Sequence, residues 1–246
     1  MPTRSLTNQY VKKFYDKRVR ELGDYTHHRW FSSPSAINDY KETERTLRKA
    51  LKTGIGEALE IGPGGGIWTE LLTSYASSIH LIDQSEEMLL QAKKCLERFS
   101  NITMELSDFV QSEISRQYDS VISIRAFEYF DDHKKAIQKI HSSLKSGGRV
   151  ILVTKNPEYI SWNKGEDPDV IHSGRIGRKQ MVALLQESGF AIEAVYPAVI
   201  KWKLRYFISR LLSRFFHELL LIFGGMNSLP FLSYFVESYL YLARKP

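Results

Sequence analysis

The chain has 246 residues, of which 43% are hydrophobic and 25% charged, a balance that suits one large globular domain with a buried core and excludes a disordered chain. Its single cysteine, Cys95, excludes an internal disulfide and reads as a buried structural thiol on a helix. No apolar run reaches the ~18 residues that span a bilayer, and the charged N-terminus lacks the apolar core of a secretory signal, so a reducing, cytoplasmic location is expected.

The net charge of +6 is unevenly placed. Residues 1–50 carry 11 basic against 6 acidic side chains, residues 51–198 carry 16 against 20, and residues 199–246 carry 7 against 2. The middle of the chain is mildly acidic and the basic excess lies in its flanks. Added segments around a shared sheet are where substrate sites are built.

The N-terminal flank, residues 1–52, reads as two helices. Tyr10, Val11, Phe14, Tyr15 and Val19 fall at helical spacing over Asn8 to Leu22, with Gly23 as the stop. A loop is expected from Tyr25 to Phe31, rich in residues that both stack and donate. His28 is a candidate to face a substrate there, and Trp30 and Phe31 either join it or anchor the loop on the core. A second helix is expected from Ser35 to Leu51.

The next segment carries the chemistry. After the apolar pair Ala58-Leu59 come Glu60-Ile61-Gly62-Pro63-Gly64-Gly65-Gly66, and Ile67 to Leu72 then opens a helix. An acid ends a strand and glycines follow at alternate positions, so a ligand's charged end can meet bare backbone N–H groups at a helix N-terminus. The dinucleotide fingerprint G-x-G-x-x-G fits Gly62 and Gly64 but would need its third glycine where Ile67 stands. About twenty residues on, the strand Ile79 to Ile82 ends at Asp83, which can accept from ribose hydroxyls or cap the helix that follows. A third strand, Ile102 to Leu106, leads to Ser107-Asp108-Phe109, an acid that can accept from an exocyclic amine beside a ring that can pack on a purine. A fourth, Tyr118 to Ile124, runs into Arg125-Ala126-Phe127-Glu128-Tyr129. A helix end and turn at Leu144 to Gly148 precede a fifth strand, Arg149 to Val153.

The C-terminal part holds a strand at Ala191 to Val195 and a final one at Glu237 to Leu242. Between them, residues 201–223 form a wide apolar helix with one polar stripe at Lys201, Arg205, Ser209, Ser213 and His217. Its expected role is one of four: covering the core, covering a hydrophobic substrate, lying on a membrane surface, or forming a homodimer contact.

Taken in order from Glu57 to Phe190, these motifs resemble the class I S-adenosylmethionine-dependent methyltransferases. The resemblance implies an α/β fold: a doubly wound, Rossmann-like sheet of seven strands with a final antiparallel strand. It further implies an N-terminal helical lid over residues 1–52, a cofactor-binding core over 53–198, a helical insertion over 199–235 and the core's last strand over 236–246. It implies S-adenosylmethionine as cofactor. Glu60, Gly62, Pro63, Gly64 and Gly66 would hold its methionine end, and Asp83 and Gln84 its ribose. Met88, Asp108 and Phe109 would flank its adenine, while Arg125 and Ala126 line its reactive end. The family's small-molecule members often carry a His after the fourth strand, where this chain has Phe127-Glu128-Tyr129.

Methyl transfer is an in-line displacement, so alignment of the nucleophile matters most, and a base is needed only where the acceptor loses a proton early. Candidates are His28, His172 and Tyr129, with Glu128 beside the last. No spacing of His, Cys, Asp and Glu suggests a metal. The expected acceptor is a small or lipid-like amphipathic molecule, with peripheral membrane contact through 201–223. The competing readings are a nicotinamide-dependent oxidoreductase, opposed by Ile67 and by Asp108-Phe109, and a non-catalytic cofactor-binding subunit. Asn156-Pro157-Glu158-Tyr159 is faintly like the motif of amino-directed DNA methyltransferases, but it follows the fifth strand rather than the fourth. A nucleic-acid partner is therefore disfavoured.

Overall fold

A computed structural model describes residues 8–159, 175–201, 211–212, 214–216, 218–219 and 230–246. The expected strands form as β1 (Gly56–Ile61), β2 (Ala76–Asp83), β3 (Ile102–Leu106), β4 (Tyr118–Ile124), β5 (Leu144–Lys155), β6 (Ala191–Ile200) and β7 (Val236–Arg244). They make one sheet in the order β3-β2-β1-β4-β5-β7-β6. Pairing is parallel from β3 through β5, while β7 runs antiparallel to both β5 and β6, between which it is wedged.

Helices cover both faces, which is why the central strands are apolar without alternation. They are α1 (Asn8–Leu22), α2 (Tyr25–Phe31), α3 (Pro34–Ala50), α4 (Ile67–Leu72), α5 (Glu86–Leu96), α6 (His133–Ser142) and α7 (Arg178–Glu187). On one face Val150 and Leu152 of β5 pack with Ile137 and Ile140 of α6 and Met181 and Leu185 of α7. On the other, Ile151 and Val153 join Leu47 of α3, Leu72 of α4 and Leu96 of α5. Adjacent residues of one strand thus enter opposite cores, as the period of two requires.

Local chemistry sets most of the boundaries. Ser33 caps α3 through Ala36 N–H, with Pro34 in the first turn, and Ser85 and Asp132 cap α5 and α6 in the same way. The segment Tyr25–Phe31, expected as a loop, is instead a helix. Gly23 ends α1 with φ 69°, and Asp24 at once caps a new turn by accepting from His27 N–H at 2.8 Å. The turn expected at Leu144 to Gly148 lies inside β5: pairing steps from Tyr118↔Leu144 to Ser120↔Arg149, so the intervening residues bulge out around Gly147. Strand β6 extends past Val195 to Ile200. It is an edge strand, so Pro197 costs it no ladder partner on the outer side.

Among the described residues no helix is long and apolar enough to cross a membrane, and no group of three metal-ligating side chains occurs. Of the segment 201–223, the described residues 211–212, 214–216 and 218–219 are helical.

Candidate active site

The strand order reverses between β2-β1 and β4-β5, so the connections leaving β1 and β4 diverge and open a crevice at the strands' carboxyl ends. A cavity of about 1090 Å3, its open mouth included, lies there. It is lined by the turn after β1, the ends of β2, β4 and β5, the loop after β3, and α1 and α2 from above.

The glycine turn is shaped by two close approaches. Gly62 has φ 68°, and a Cβ on it would collide with Cβ of Ala126 after β4. Gly66 has φ 86°, and a Cβ there would stand 3.2 Å from Cα of Ala92 on α5. The first glycine lets two loops meet at the cavity wall; the last lets α4 begin against α5. Gly66 itself does not line the cavity, and neither does Glu60. Glu60 is 1% exposed beneath the turn, and its carboxylate accepts from the Thr69 hydroxyl of α4 at 2.7 Å.

Burial pushes the Glu60 carboxyl up to about 7, with the nearby charge of Asp83 adding to the rise. A carboxyl raised in the folded state stabilises that state fully below its ordinary value of 4.5 and loses the contribution as pH rises through about 7. Wild type should therefore lose about 3 kcal/mol relative to Glu60→Gln between pH 4.5 and 7.5. Urea denaturation of both proteins across that range checks it, and a constant difference would refute it.

Asp83 accepts from Gly64 N–H at 3.3 Å and from Ser85 N–H at 2.9 Å, so it braces the glycine turn against the start of α5. Ser85, not Asp83, caps that helix. Burial raises the Asp83 carboxyl to about 6. Asp108 accepts from the Asn8 side chain at 2.7 Å and from Val110 N–H at 2.9 Å. Gln84 and Met88 line the cavity, as do Pro63 and Phe109, the latter 3% exposed and half sunk in the core.

The N-terminal helices lie over this wall. Besides Asn8, Asp16 of α1 accepts from the Ser85 hydroxyl at 2.6 Å, Arg20 pairs with Glu87 at 3.2 Å, and Thr26 of α2 sits against Gly65. Trp30 meets Trp68 edge-on at 5.0 Å, which anchors α2 to α4. Tyr15, Tyr25 and Tyr129 form an edge-to-face cluster with centroids 5.4 and 5.8 Å apart, and all three line the cavity. Burial holds the Tyr129 phenol well above its ordinary range, with the charge of Glu128 next in effect, so at neutral pH it can donate a proton but not take one.

Arg125 closes the far end. It is a non-glycine residue at φ 63°, its N–H bonded to Val153 O at 2.7 Å. Its Nη2 donates to both oxygens of Glu237 at the start of β7, at 3.0 and 2.8 Å, with the two side chains 7% and 9% exposed. Burial alone would raise Glu237; Arg125, then Lys201 and Lys155, outweigh it and hold the carboxyl far below its usual range. Lys155, at the end of β5, lines the cavity, and burial lowers its ammonium to about 8. Farther back, Lys201 pairs with Asp39 of α3 at 2.6 Å.

Of the sequence candidates, Gly62, Pro63, Gly64, Asp83, Gln84, Met88, Asp108, Phe109, Arg125, Ala126 and Tyr129 therefore meet around one cavity. His28 does not: on helix α2 the inward positions fall to Tyr25, Thr26, Arg29 and Trp30, and His28 is exposed on the outer side. His172 lies outside the described residues. Asn156 is structural. Its Nδ2 donates to Ser233 O and Val236 O at 2.9 and 3.0 Å, pinning the entry to β7. Sequence reasoning missed Asn8, Arg29 and Lys155. Lys155 had a visible signal, a cation ending an otherwise apolar strand at the carboxyl edge of the sheet.

Residues 59–152 match a family model described as a methyltransferase domain. A protein of Bacillus thuringiensis named "Uncharacterized methyltransferase" is 31% identical over 119 residues, 46% of this chain and 55% of that protein. The chain thus spans about half the length of the curated relatives it matches. Among solved structures, the N-methyltransferase NodS of Bradyrhizobium japonicum WM9, in complex with S-adenosyl-L-homocysteine, aligns with a TM-score of 0.66 at 17% identity, over 94% of this chain and 98% of that one. The 4+2 cyclase SpnF aligns with a TM-score of 0.67 at 17% identity, over 98% and 97%. At such identities the likeness is one of fold.

Proposed function

We propose that this chain, whose residues 59–152 match a methyltransferase-domain model within a seven-stranded Rossmann-like fold, is a class I S-adenosylmethionine-dependent methyltransferase acting on a small or amphipathic acceptor. The observation that carries the reading is convergence: Gly62, Gly64, Asp83 and Asp108, from three separate strand ends, line one cavity. The residues present suit the cofactor. A Cβ on Gly64 would meet only the Met88 sulfur, at 4.0 Å, so the backbone is open to close approach there. Asp83 and Asp108 keep accepting capacity beyond the N–H bonds they already hold. Gly62 to Gly64 would take the methionine end, Asp83 the ribose hydroxyls, Asp108 the exocyclic amine, and Met88 and Phe109 the faces of the adenine.

The cofactor supplies an electrophilic methyl group on a sulfonium. The chain's own work is to exclude water with α1 and α2 and to hold the acceptor in line at the Arg125 end. NodS is an N-methyltransferase and SpnF a cyclase, so fold alone does not fix what this cavity does. Calorimetry with S-adenosylhomocysteine and with NAD tests the reading. The former should bind and the latter not; NAD binding without S-adenosylhomocysteine binding would overturn it. Incubating extracted metabolites with labelled methyl donor would then identify the acceptor.

A second proposal concerns the insertion. Leu211, Phe215 and Leu219, spaced four apart, are 64%, 60% and 36% exposed, on a flank with 7 basic and 2 acidic residues. An exposed apolar stripe on a basic flank suits an anionic bilayer surface. Sedimentation with phosphatidylserine-containing liposomes should pull down the wild type and leave the Leu211→Gln/Phe215→Gln/Leu219→Gln variant in solution. Equal partitioning of the two would remove the idea.

A further inference from the structure

The Arg125 side of the cavity contains polar groups that the described residues leave unmet. Among the described residues both carboxyl oxygens of Glu128 are buried without a hydrogen-bond partner; the residue is 0% exposed, and burial raises its carboxyl against the opposing charges of Arg125 and Lys155. Nε and Nη1 of Arg125 are likewise buried without partners, its Nη2 alone being engaged by Glu237. Arg125 and Glu128 both line the cavity, beside Lys155 and Arg29. Leaving a buried donor or acceptor unmet costs about 1–3 kcal/mol, and more for a charged group. Two unmet acceptors and two unmet donors at one corner of a binding cavity are therefore groups that a bound molecule can satisfy.

Their combination restricts the ligand. An ammonium would donate to Glu128 but could accept nothing from Arg125, and it would face three cations, Arg29, Arg125 and Lys155. A carboxylate would accept from Arg125 but offer nothing to Glu128. A neutral amine has one lone pair, which methyl transfer needs, so Arg125 would stay unmet. A hydroxyl has one proton for Glu128 and two lone pairs, one for Arg125 and one for the methyl carbon, so of these four groups it alone reaches both side chains and still reacts.

Resting on the methyltransferase reading above, we infer that the acceptor presents a hydroxyl to this corner, donating its O–H to Glu128 and accepting an N–H of Arg125, and that transfer is to oxygen. The oxygen's remaining lone pair forms the new bond to the methyl carbon. The carbon–sulfur bonding pair stays on sulfur, which becomes neutral, and the hydroxyl proton passes to the Glu128 carboxylate. Arg125 and Lys155 stabilise the negative charge that grows on oxygen as the proton leaves. The tyrosine cluster of Tyr15, Tyr25 and Tyr129 supplies an aromatic wall for the rest of the acceptor.

Binding of neutral probes tests this without knowledge of the natural acceptor. Protein loaded with S-adenosylhomocysteine is titrated calorimetrically with para-butylphenol, para-butylaniline and butylbenzene. The phenol should bind at least ~10-fold more tightly than the aniline, whose nitrogen lone pair is delocalised into the ring and accepts poorly from Arg125. Glu128→Ala should weaken phenol binding at least ~10-fold, leaving it only the bond from Arg125. Glu128→Gln, whose amide oxygen still accepts, should keep part of the preference. An aniline that binds as well as the phenol, phenol affinity unchanged in Glu128→Ala, or no phenol binding at all would each overturn the inference. Failure of the wild type to bind S-adenosylhomocysteine would instead overturn the cofactor reading, and this inference with it. If Glu128→Ala no longer binds S-adenosylhomocysteine, the wild-type order among the three probes decides alone.

Discussion

Replacing Arg125 by alanine will cost the folded protein about 3 kcal/mol, the lower end of what removing one partner of a buried ion pair costs. The reason is the carboxylate left behind. Glu237 is 9% exposed and takes both of its close contacts from Arg125 Nη2. Without the guanidinium it must either ionise in a low-dielectric site or bind a proton. Lys201 and Lys155 lie near enough to soften the loss, which places it at the low end of the range. Two companion variants separate ion pairing from other causes. Arg125 occupies φ 63°, so Arg125→Gly should be about 1 kcal/mol less destabilised than Arg125→Ala. Arg125→Met combined with Glu237→Leu should recover at least half of the loss, because no charge is then stranded. Urea unfolding reads all three; a loss under about 1 kcal/mol for Arg125→Ala would mean the pair contributes little.

Asp83→Ala will weaken S-adenosylhomocysteine binding by about 10- to 100-fold, the worth of one or two hydrogen bonds to a charged acceptor. Two effects add. The ribose hydroxyls lose their acceptor, and Gly64 N–H loses the bond that braces the glycine turn. Asp83→Asn keeps the shape and an accepting oxygen and should lose less. The pH dependence has a definite sign. With its carboxyl raised to about 6, unliganded Asp83 is protonated in acid, so affinity should rise as pH goes from 5 to 7, and that rise should vanish in Asp83→Asn. Calorimetry at several pH values measures it. Unchanged affinity in Asp83→Ala would remove Asp83 from the ribose role.

How much of this could be read from the chain differs by residue. The turn from Gly62 to Gly66, Asp83 and Asp108 were legible because each is a local event: a strand end, a required positive φ, a helix about to start. The strand Val150 to Val153 was legible for a similar reason, since a continuous apolar run bounded by turns has few other uses. The segment Tyr25–Phe31 reads as a loop because it closely follows the helix stop at Gly23, whereas Asp24 caps a new helix there. That error put His28 at the site, whereas one helical turn places Arg29 there instead. Glu60 was legible as the acid before the glycines, but not as the buried partner of Thr69.

The sequence by itself determined the strands and helices of the core, the family it resembles and most residues of the cavity wall from Gly62 to Phe109, because periodicity, caps and glycine turns act within a few residues of each other. It could not determine the other wall. Arg125 and Glu237 are 112 positions apart, Asn8 and Asp108 are 100 apart, and Lys201 and Asp39 are 162 apart. Only the wedging of β7 between β5 and β6, the packing of α3 on β6 and the folding of α1 over α5 bring them together. Whether a charged side chain is solvated, paired or left waiting for a ligand depends on what the rest of the chain buries around it. That is why Glu128 is one of several base candidates in the sequence and, among the described residues of the fold, a buried carboxyl without a partner.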